Sequence, residues 1–250
     1  MSAVSPVCVL AGGLGSRLGD RIRETPKPLL PVAGKPFLIH QLELLRRYGV
    51  DRVVLCVGFR GEQIEEAIGD GAELGLEVGY AYDGQILAGT AGAIRGALPL
   101  LGERFLVLYG DTYLRIDYAE VDRAHARSGL AAMMTVLRNE GRWDTSNASL
   151  RGGRVVRYDK RHPSADMAWI DYGLGAFRAD ALAEGPEDLA DVYHQLAESG
   201  QLAGYEAKER FYEIGTPQAL RETERFLTAL PIRPRSLERG GTRGSEARRT

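Results

Sequence analysis

The chain has 250 residues, 44% of them hydrophobic, with 32 Lys plus Arg against 34 Asp plus Glu and a formal net charge of −2. That length can bury a large core in one sizeable α/β domain or in two small ones. The near-balanced charge excludes a global pull toward nucleic acid or an anionic membrane, so any phosphate-binding surface has to be local.

Cys8 and Cys56 both lie inside apolar runs, which points to reduced buried thiols rather than a disulfide framework. No apolar stretch approaches the roughly 18 residues that span a bilayer. Residues 1–10 carry no basic n-region and no cleavage site, so the expected address is cytoplasmic.

In chain order, residues 7–10 form a short apolar strand that runs into a glycine-rich stretch, and residues 37–48 carry a helical pattern. Strands follow at 53–57, 76–82, 105–109 and 131–137, separated by helical patterns at 61–68, 90–98 and 117–128. This alternation predicts an α/β fold built on a mostly parallel, Rossmann-like sheet with helices on both faces. From 138 to 177 the regularity breaks into short β-like pieces at 148–150, 155–158 and 170–177, which predicts a small, more antiparallel lobe. Helices at 189–198 and 217–230, with strands at 202–206 and 211–213, close the fold.

The expected organisation is therefore one domain over 1–230, with a nucleotide-binding part to about 137, a sugar-binding lobe over about 138–216 and a closing helix over about 217–230. Residues 231–250, rich in Arg, Gly, Ser and Pro, have too little apolar surface to offset ordering and are expected to be a disordered tail.

The segment from Leu10 through Ala11, Gly12, Gly13, Leu14, Gly15, Ser16 and Arg17 follows a strand, at the end where an open α/β sheet receives ligands. Glycines let backbone N–H groups approach phosphate oxygens, and Arg17 adds a forked donor. A Walker loop would need Gly-Lys followed by Ser or Thr, and the dinucleotide fingerprint would need glycine at Leu18, so neither fits. Thr25-Pro26-Lys27-Pro28 comes next. Prolines on both sides of Lys27 forbid a regular helix and are expected to hold the ammonium in an extended segment. Only Lys27, Lys35, Lys160 and Lys208 are lysines, so each raises the question of whether a compact point charge was needed where a guanidinium would not serve.

These two motifs in this order resemble the sugar-phosphate nucleotidyltransferase family, and the resemblance runs from residue 7 to about 230. It is strongest to the short heptose 1-phosphate guanylyltransferases, with uridylyl, thymidylyl and cytidylyl relatives close. The resemblance implies a GT-A-like sheet, an NTP and a sugar 1-phosphate as substrates, and Mg²⁺ as cofactor. No nucleic-acid or membrane partner is expected, and a homo-oligomer is compatible with it.

Residue by residue, the resemblance places the triphosphate on Leu10, Ala11, Gly12, Gly13, Gly15, Ser16 and Arg17, with Lys27 at the reacting phosphates. Residues 87–93 resemble the segment that opens a helix beside the nucleobase, one residue longer here at Ala88, and this assigns Gly89 and Thr90 to the nucleotide. Asp83 is either a base contact, better suited to guanine's two adjacent N–H groups than to uracil's single one, or a turn residue before Gly84. Asp111 ends a buried strand after Gly110 and is implied as a Mg²⁺ ligand, which suits a hard oxygen donor. Glu213 stands where the family usually has Asp before Gly-Thr-Pro and is the second implied metal ligand.

Tyr158-Asp159-Lys160 resembles the family's Glu-Lys-Pro segment, which implies that Lys160 meets the sugar phosphate and Asp159 a sugar hydroxyl. Asp171, Tyr172 and Gly173 correspond to the sugar-facing strand, and Asn147 is a further sugar contact or a turn residue. The catalytic set is thus Arg17, Lys27, Asp111 and Lys160, with GTP and a heptose 1-phosphate as the expected pair. A glycosyltransferase of the same architecture and a non-catalytic sugar-nucleotide sensor are the alternatives. The Lys27 segment argues against the first, and the intact charged set against the second.

Overall fold

The structure is a computed structural model and describes residues 4–13, 25–84 and 89–230. In chain order the strands and helices are β1 (Val7–Leu10), β2 (Pro31–Val32), β3 (Lys35–Pro36), α1 (Phe37–Arg47), β4 (Arg52–Val57), α2 (Gly61–Ile68), β5 (Glu77–Tyr82), α3 (Gly89–Leu101), β6 (Arg104–Tyr109) and β7 (Thr112–Tyr113). They continue as α4 (Tyr118–Ser128), β8 (Ala132–Arg138), β9 (Ala148–Arg151), β10 (Arg154–Tyr158), β11 (Trp169–Arg178), α5 (Leu189–Glu198), β12 (Leu202–Ala207), β13 (Tyr212–Glu213) and α6 (Pro217–Ala229).

Among the described residues, nine strands make one sheet in the order β5-β4-β1-β6-β11-β8-β12-β10-β9. The first four are parallel, as expected for strands joined by helical crossovers. Beyond β6 the expectation of a mostly parallel sheet fails, because β11 runs antiparallel to both β6 and β8, and β10 runs antiparallel to β12 and β9. The sheet is mixed. Between β9 and β10 the link is only the two-residue turn Gly152-Gly153, which favours an antiparallel return, and no helix intervenes between β8 and β11 to impose a parallel crossover.

Helices cover both faces. On one, α1, α2 and α4 bury Leu38, Leu42, Leu45, Ile64, Tyr118 and Val121 against Val7, Val9 and Leu55. On the other, α3 and α5 bury Ala91, Ile94, Ala97, Val192 and Tyr193 against Cys8, Val54 and Val107. Alternation along β1, with Val7 and Val9 in one cluster and Cys8 in the other, is the strand period at work. A third, smaller cluster packs α6 on α1 through Leu220, Leu227, Phe37 and Leu44.

Local chemistry sets the helix ends. The Asp117 carboxylate accepts from Glu120 N and Gly129 stops α4 in the left-handed region, the Asp188 carboxylate accepts from Ala190 N, and Thr216 accepts from Ala219 N with Pro217 opening α6. Lys27 does not sit in an extended segment as expected: Lys27–Leu29 is a single 3₁₀ turn after extended Pro26. Proline is tolerated there because the first residues of a turn have no intrahelical N–H partner to lose.

Candidate active site

Three strand ends converge at the carboxyl edge of the parallel half. Ala11 N donates to Cys56 O at 2.8 Å, Asp83 N to Val57 O at 2.8 Å and Gly110 N to Leu10 O at 3.0 Å. Glycine makes the convergence possible. A Cβ on Gly110 would lie 2.4 Å from the Leu10 carbonyl oxygen, and one on Gly12 would lie 3.0 Å from Gly58 N and 3.2 Å from Asp83 Oδ2. The result is a cavity of about 270 Å³ lined by Leu10, Ala11, Gly12, Gly13 and Asp83, with Lys27, Asp111, Gly89 and Thr90 on its other walls. Arg17, Gly15 and Ser16 lie outside the described residues.

Lys27 and Asp111 meet at the cavity wall, Nζ donating to Oδ2 at 2.5 Å, with the lysine side chain 11% and the aspartate 28% exposed. The other carboxylate oxygen accepts from Thr112 Oγ1 at 3.1 Å. Asp83 reaches the cavity beside Gly12 rather than turning out to solvent, and burial pushes its carboxyl above the ordinary value.

Gly89 and Thr90 line the same cavity but are also engaged with the entry to α5. A Cβ on Gly89, at φ +71°, would meet Glu187 O at 2.5 Å, and Thr90 Oγ1 accepts from Leu189 N at 2.8 Å. These two residues thereby brace α3 against α5.

Tyr109 and Asp111 open onto a second, larger cavity of about 1110 Å³, lined by Asn147, Lys160, Asp171, Tyr172, Gly173 and Glu213 among others. Gly173 adopts φ +96°, with Thr112 and Tyr109 side-chain atoms 3.4 Å from where a Cβ would stand. Asn147 Oδ1 accepts from Asp171 N at 2.9 Å, and Asp171 Oδ1 accepts from Gly173 N at 2.9 Å. Burial pushes the Asp171 carboxyl up, opposed by the Gly173 N–H, the Lys160 charge and the Tyr158 hydroxyl. Lys160 Nζ stands 5.9 Å from the Tyr109 ring centroid.

Two expected sugar contacts sit differently. Asp159 is not among the cavity-lining residues; its Oδ1 accepts from His162 N at 2.7 Å and Arg161 N at 2.9 Å, and these bonds hold its carboxyl below the usual value. Tyr172 lines the larger cavity but is only 1% exposed, with its ring packed edge-on against Phe211.

Several lining residues escaped the sequence. Tyr109 separates the two cavities. Arg210 stacks its guanidinium 4.2 Å from the Trp143 ring centroid and 4.6 Å from that of Tyr212, while Nη2 donates to Glu222 Oε2 at 3.0 Å. Tyr109 stood beside the Gly110-Asp111 motif without a role of its own, and for Arg210 the one available signal was a cation three residues before Glu213.

The donor set fits Mg²⁺. Asp111 supplies a carboxylate, and Glu213 is drawn to it because β13 pairs with β7, Glu213 opposite Thr112, and Ile214 N donates to Asp111 O at 3.0 Å. Among the described residues no cluster of three or more His, Cys, Asp or Glu could hold a metal. Mg²⁺ does not require one, since it takes one or two carboxylates and completes its shell with substrate phosphates and water. No helix among the described residues is long and apolar enough to cross a membrane.

The family model described as nucleotidyl transferase matches residues 7–146, more than half of the chain. An N-acetylmuramate alpha-1-phosphate uridylyltransferase of Neisseria meningitidis serogroup B is 42% identical over 223 residues, spanning 86% of this chain and 95% of that one. A D-glycero-alpha-D-manno-heptose 1-phosphate guanylyltransferase of Aneurinibacillus thermoaerophilus is 26% identical over 226 residues, 88% and 96% of the two chains. Among solved structures, a putative glucose-1-phosphate thymidylyltransferase of Bacillus anthracis superposes with a TM-score of 0.79 at 18% identity over 92% of this chain and 97% of that one, a likeness of fold. Matched along most of its length and built around paired cavities that meet at Asp111, the chain belongs to the nucleotidyl transferase family and is a sugar-1-phosphate nucleotidyltransferase.

Proposed function

We propose that the enzyme transfers uridylyl from UTP to a sugar 1-phosphate that carries a carboxylate, of the N-acetylmuramate α-1-phosphate kind. The observation that carries this reading is the 42% identity to an enzyme of that name over nearly the whole of both chains, against 26% for the heptose guanylyltransferase. It displaces the expectation of GTP and a heptose. Asp83 faces the cavity, as that expectation required, but an acceptor-only carboxylate can equally take uracil's N3–H, so its placement does not separate the two bases. Arg210, at the wall of the larger cavity, offers forked donors suited to a carboxylate on the sugar.

In this reading the 1-phosphate oxygen attacks the α-phosphorus of UTP in line, a P–O bond forms, and the bond to pyrophosphate breaks. The attacking phosphate is already deprotonated at neutral pH, so no general base is required. Lys27 and Arg17 hold the triphosphate, Lys160 holds the sugar phosphate, and the geometry converts an encounter of two anions into a positioned pair. Bound by Asp111 and Glu213, Mg²⁺ would supply further neutralisation of the phosphates. Gly173 and Asp171 shape the seat for the sugar ring.

Pyrophosphate release with UTP, GTP, dTTP, CTP and ATP against N-acetylmuramate, N-acetylglucosamine, mannose and heptose 1-phosphates tests the assignment. The highest kcat/KM is expected for UTP with N-acetylmuramate 1-phosphate. A preference for GTP with heptose or mannose 1-phosphate would return the assignment to the guanylyltransferases.

A further inference from the structure

Gln41, in the middle of α1, is 1% exposed and belongs to neither cavity wall. Its Nε2 donates to Tyr109 O at 2.9 Å and to Thr112 O at 2.7 Å, the two carbonyls that flank Gly110 and Asp111. Its Oε1 is buried and has no hydrogen-bond partner. Turning the amide over would set that oxygen against two carbonyls, so the donor orientation is fixed by its surroundings. An orphaned buried acceptor is costly, and a leucine would fill the same core position without it. What the amide adds is a double tie across the turn that carries Asp111.

The other ties on that turn are made by backbone, Gly110 N to Leu10 O at 3.0 Å and Ile214 N to Asp111 O at 3.0 Å. Together they pin residues 109–112 from β1, from α1 and from the strand that brings Glu213. We propose that Gln41 is a positioning residue for the metal-binding carboxylate. It holds the 109–112 turn so that Asp111 presents its oxygens to the junction of the two cavities. This rests on Asp111 being the Mg²⁺ ligand, and groups that orient a ligand without touching the metal typically change metal affinity by about 10- to 100-fold when removed.

The test is an electron paramagnetic resonance titration of Mn²⁺ into the enzyme, with and without UTP, run on the parent, Gln41→Leu and Asp111→Asn, alongside thermal midpoints. Gln41→Leu is expected to fold, to weaken Mn²⁺ binding about tenfold or more, and to raise the Mg²⁺ concentration for half-maximal turnover while leaving KM for the sugar 1-phosphate unchanged. Gln41→Met replaces it if the leucine variant does not fold. Loss of Mn²⁺ in Asp111→Asn with unchanged affinity in the Gln41 variant would overturn the positioning role and leave the metal site standing. Undiminished Mn²⁺ binding in Asp111→Asn, or none in the parent with or without UTP, would overturn the metal site and this inference with it.

Discussion

Lys27 and Asp111, 84 residues apart in sequence, form one ion pair of 2.5 Å at the wall shared by the two cavities. The lysine expected to neutralise phosphate is thus already neutralising the carboxylate expected to hold Mg²⁺. In the reading proposed above, nucleotide and metal part them, each taking one member.

That arrangement gives Asp111→Asn two effects of opposite sign. With a chelator present, the freed ammonium should bind UTP about tenfold more tightly, an equivalent of roughly 1.4 kcal/mol. In Mg²⁺ the same variant should lose turnover by about two to three orders of magnitude, the scale of removing one charge-stabilising group. Isothermal titration in chelator and steady-state rates in Mg²⁺ measure the two. Weaker metal-free binding in the variant would show that the pair does not restrain Lys27.

At Lys27 itself, Ala should lower kcat by about 10²- to 10³-fold with the fold intact. Arg should also be impaired, because the side chain is 11% exposed in a tight 3₁₀ turn that suits a point charge better than a planar fork. Rates and circular dichroism on both variants check this. Full activity in Lys27→Arg would remove the point-charge argument.

Asp171 makes the enzyme's stability depend on pH. Burial raises its folded-state pKa above the ordinary 3.8, so the folded chain keeps a proton that the unfolded chain releases as pH rises through that window. The penalty is absent where both states are protonated and complete once the folded carboxyl ionises. Asp171→Asn keeps the acceptor for Gly173 N–H and removes the charge. Its thermal midpoint should match the parent below about pH 3.8 and exceed it at neutral pH. Calorimetric scans across that range report the difference. A lower midpoint at neutral pH would show that the Lys160 and Tyr158 contacts outweigh burial.

Arg210→Ala separates acidic from neutral sugars. The loss of one charged hydrogen-bond donor should raise KM for N-acetylmuramate 1-phosphate roughly tenfold or more, with N-acetylglucosamine 1-phosphate unaffected. An equal rise for both substrates would mean that Arg210 serves only to clamp Trp143 and Glu222.

Elements defined by local chemistry were legible in the sequence. The helices over Gly61–Ile68 and Leu189–Glu198 match their expected bounds to the residue, because apolar periodicity and end residues such as Asp188 are local signals. Strand direction is not local. The break in regularity after 138 read as more antiparallel, and β9, β10 and β11 do run so, but the buried run of β11 gave no sign that it inserts between β6 and β8 in the main sheet. The same holds at the site. Lys27, Asp111 and Lys160 stood in spaced motifs, whereas Gln41 bonds to carbonyls 68 and 71 residues away and Arg210 to a carboxylate 12 residues away, with only the nearby Glu213 to mark Arg210 and nothing local to mark Gln41.

The most direct test of the central claim is a product balance with UTP and N-acetylmuramate 1-phosphate in Mg²⁺, resolving pyrophosphate and nucleotide-sugar by mass spectrometry. One pyrophosphate per UDP-sugar formed is expected, with none in the absence of the sugar 1-phosphate and near-complete loss in Lys27→Ala. Pyrophosphate released from UTP alone, or UDP-sugar formed at the parental rate by Lys27→Ala, would contradict that claim.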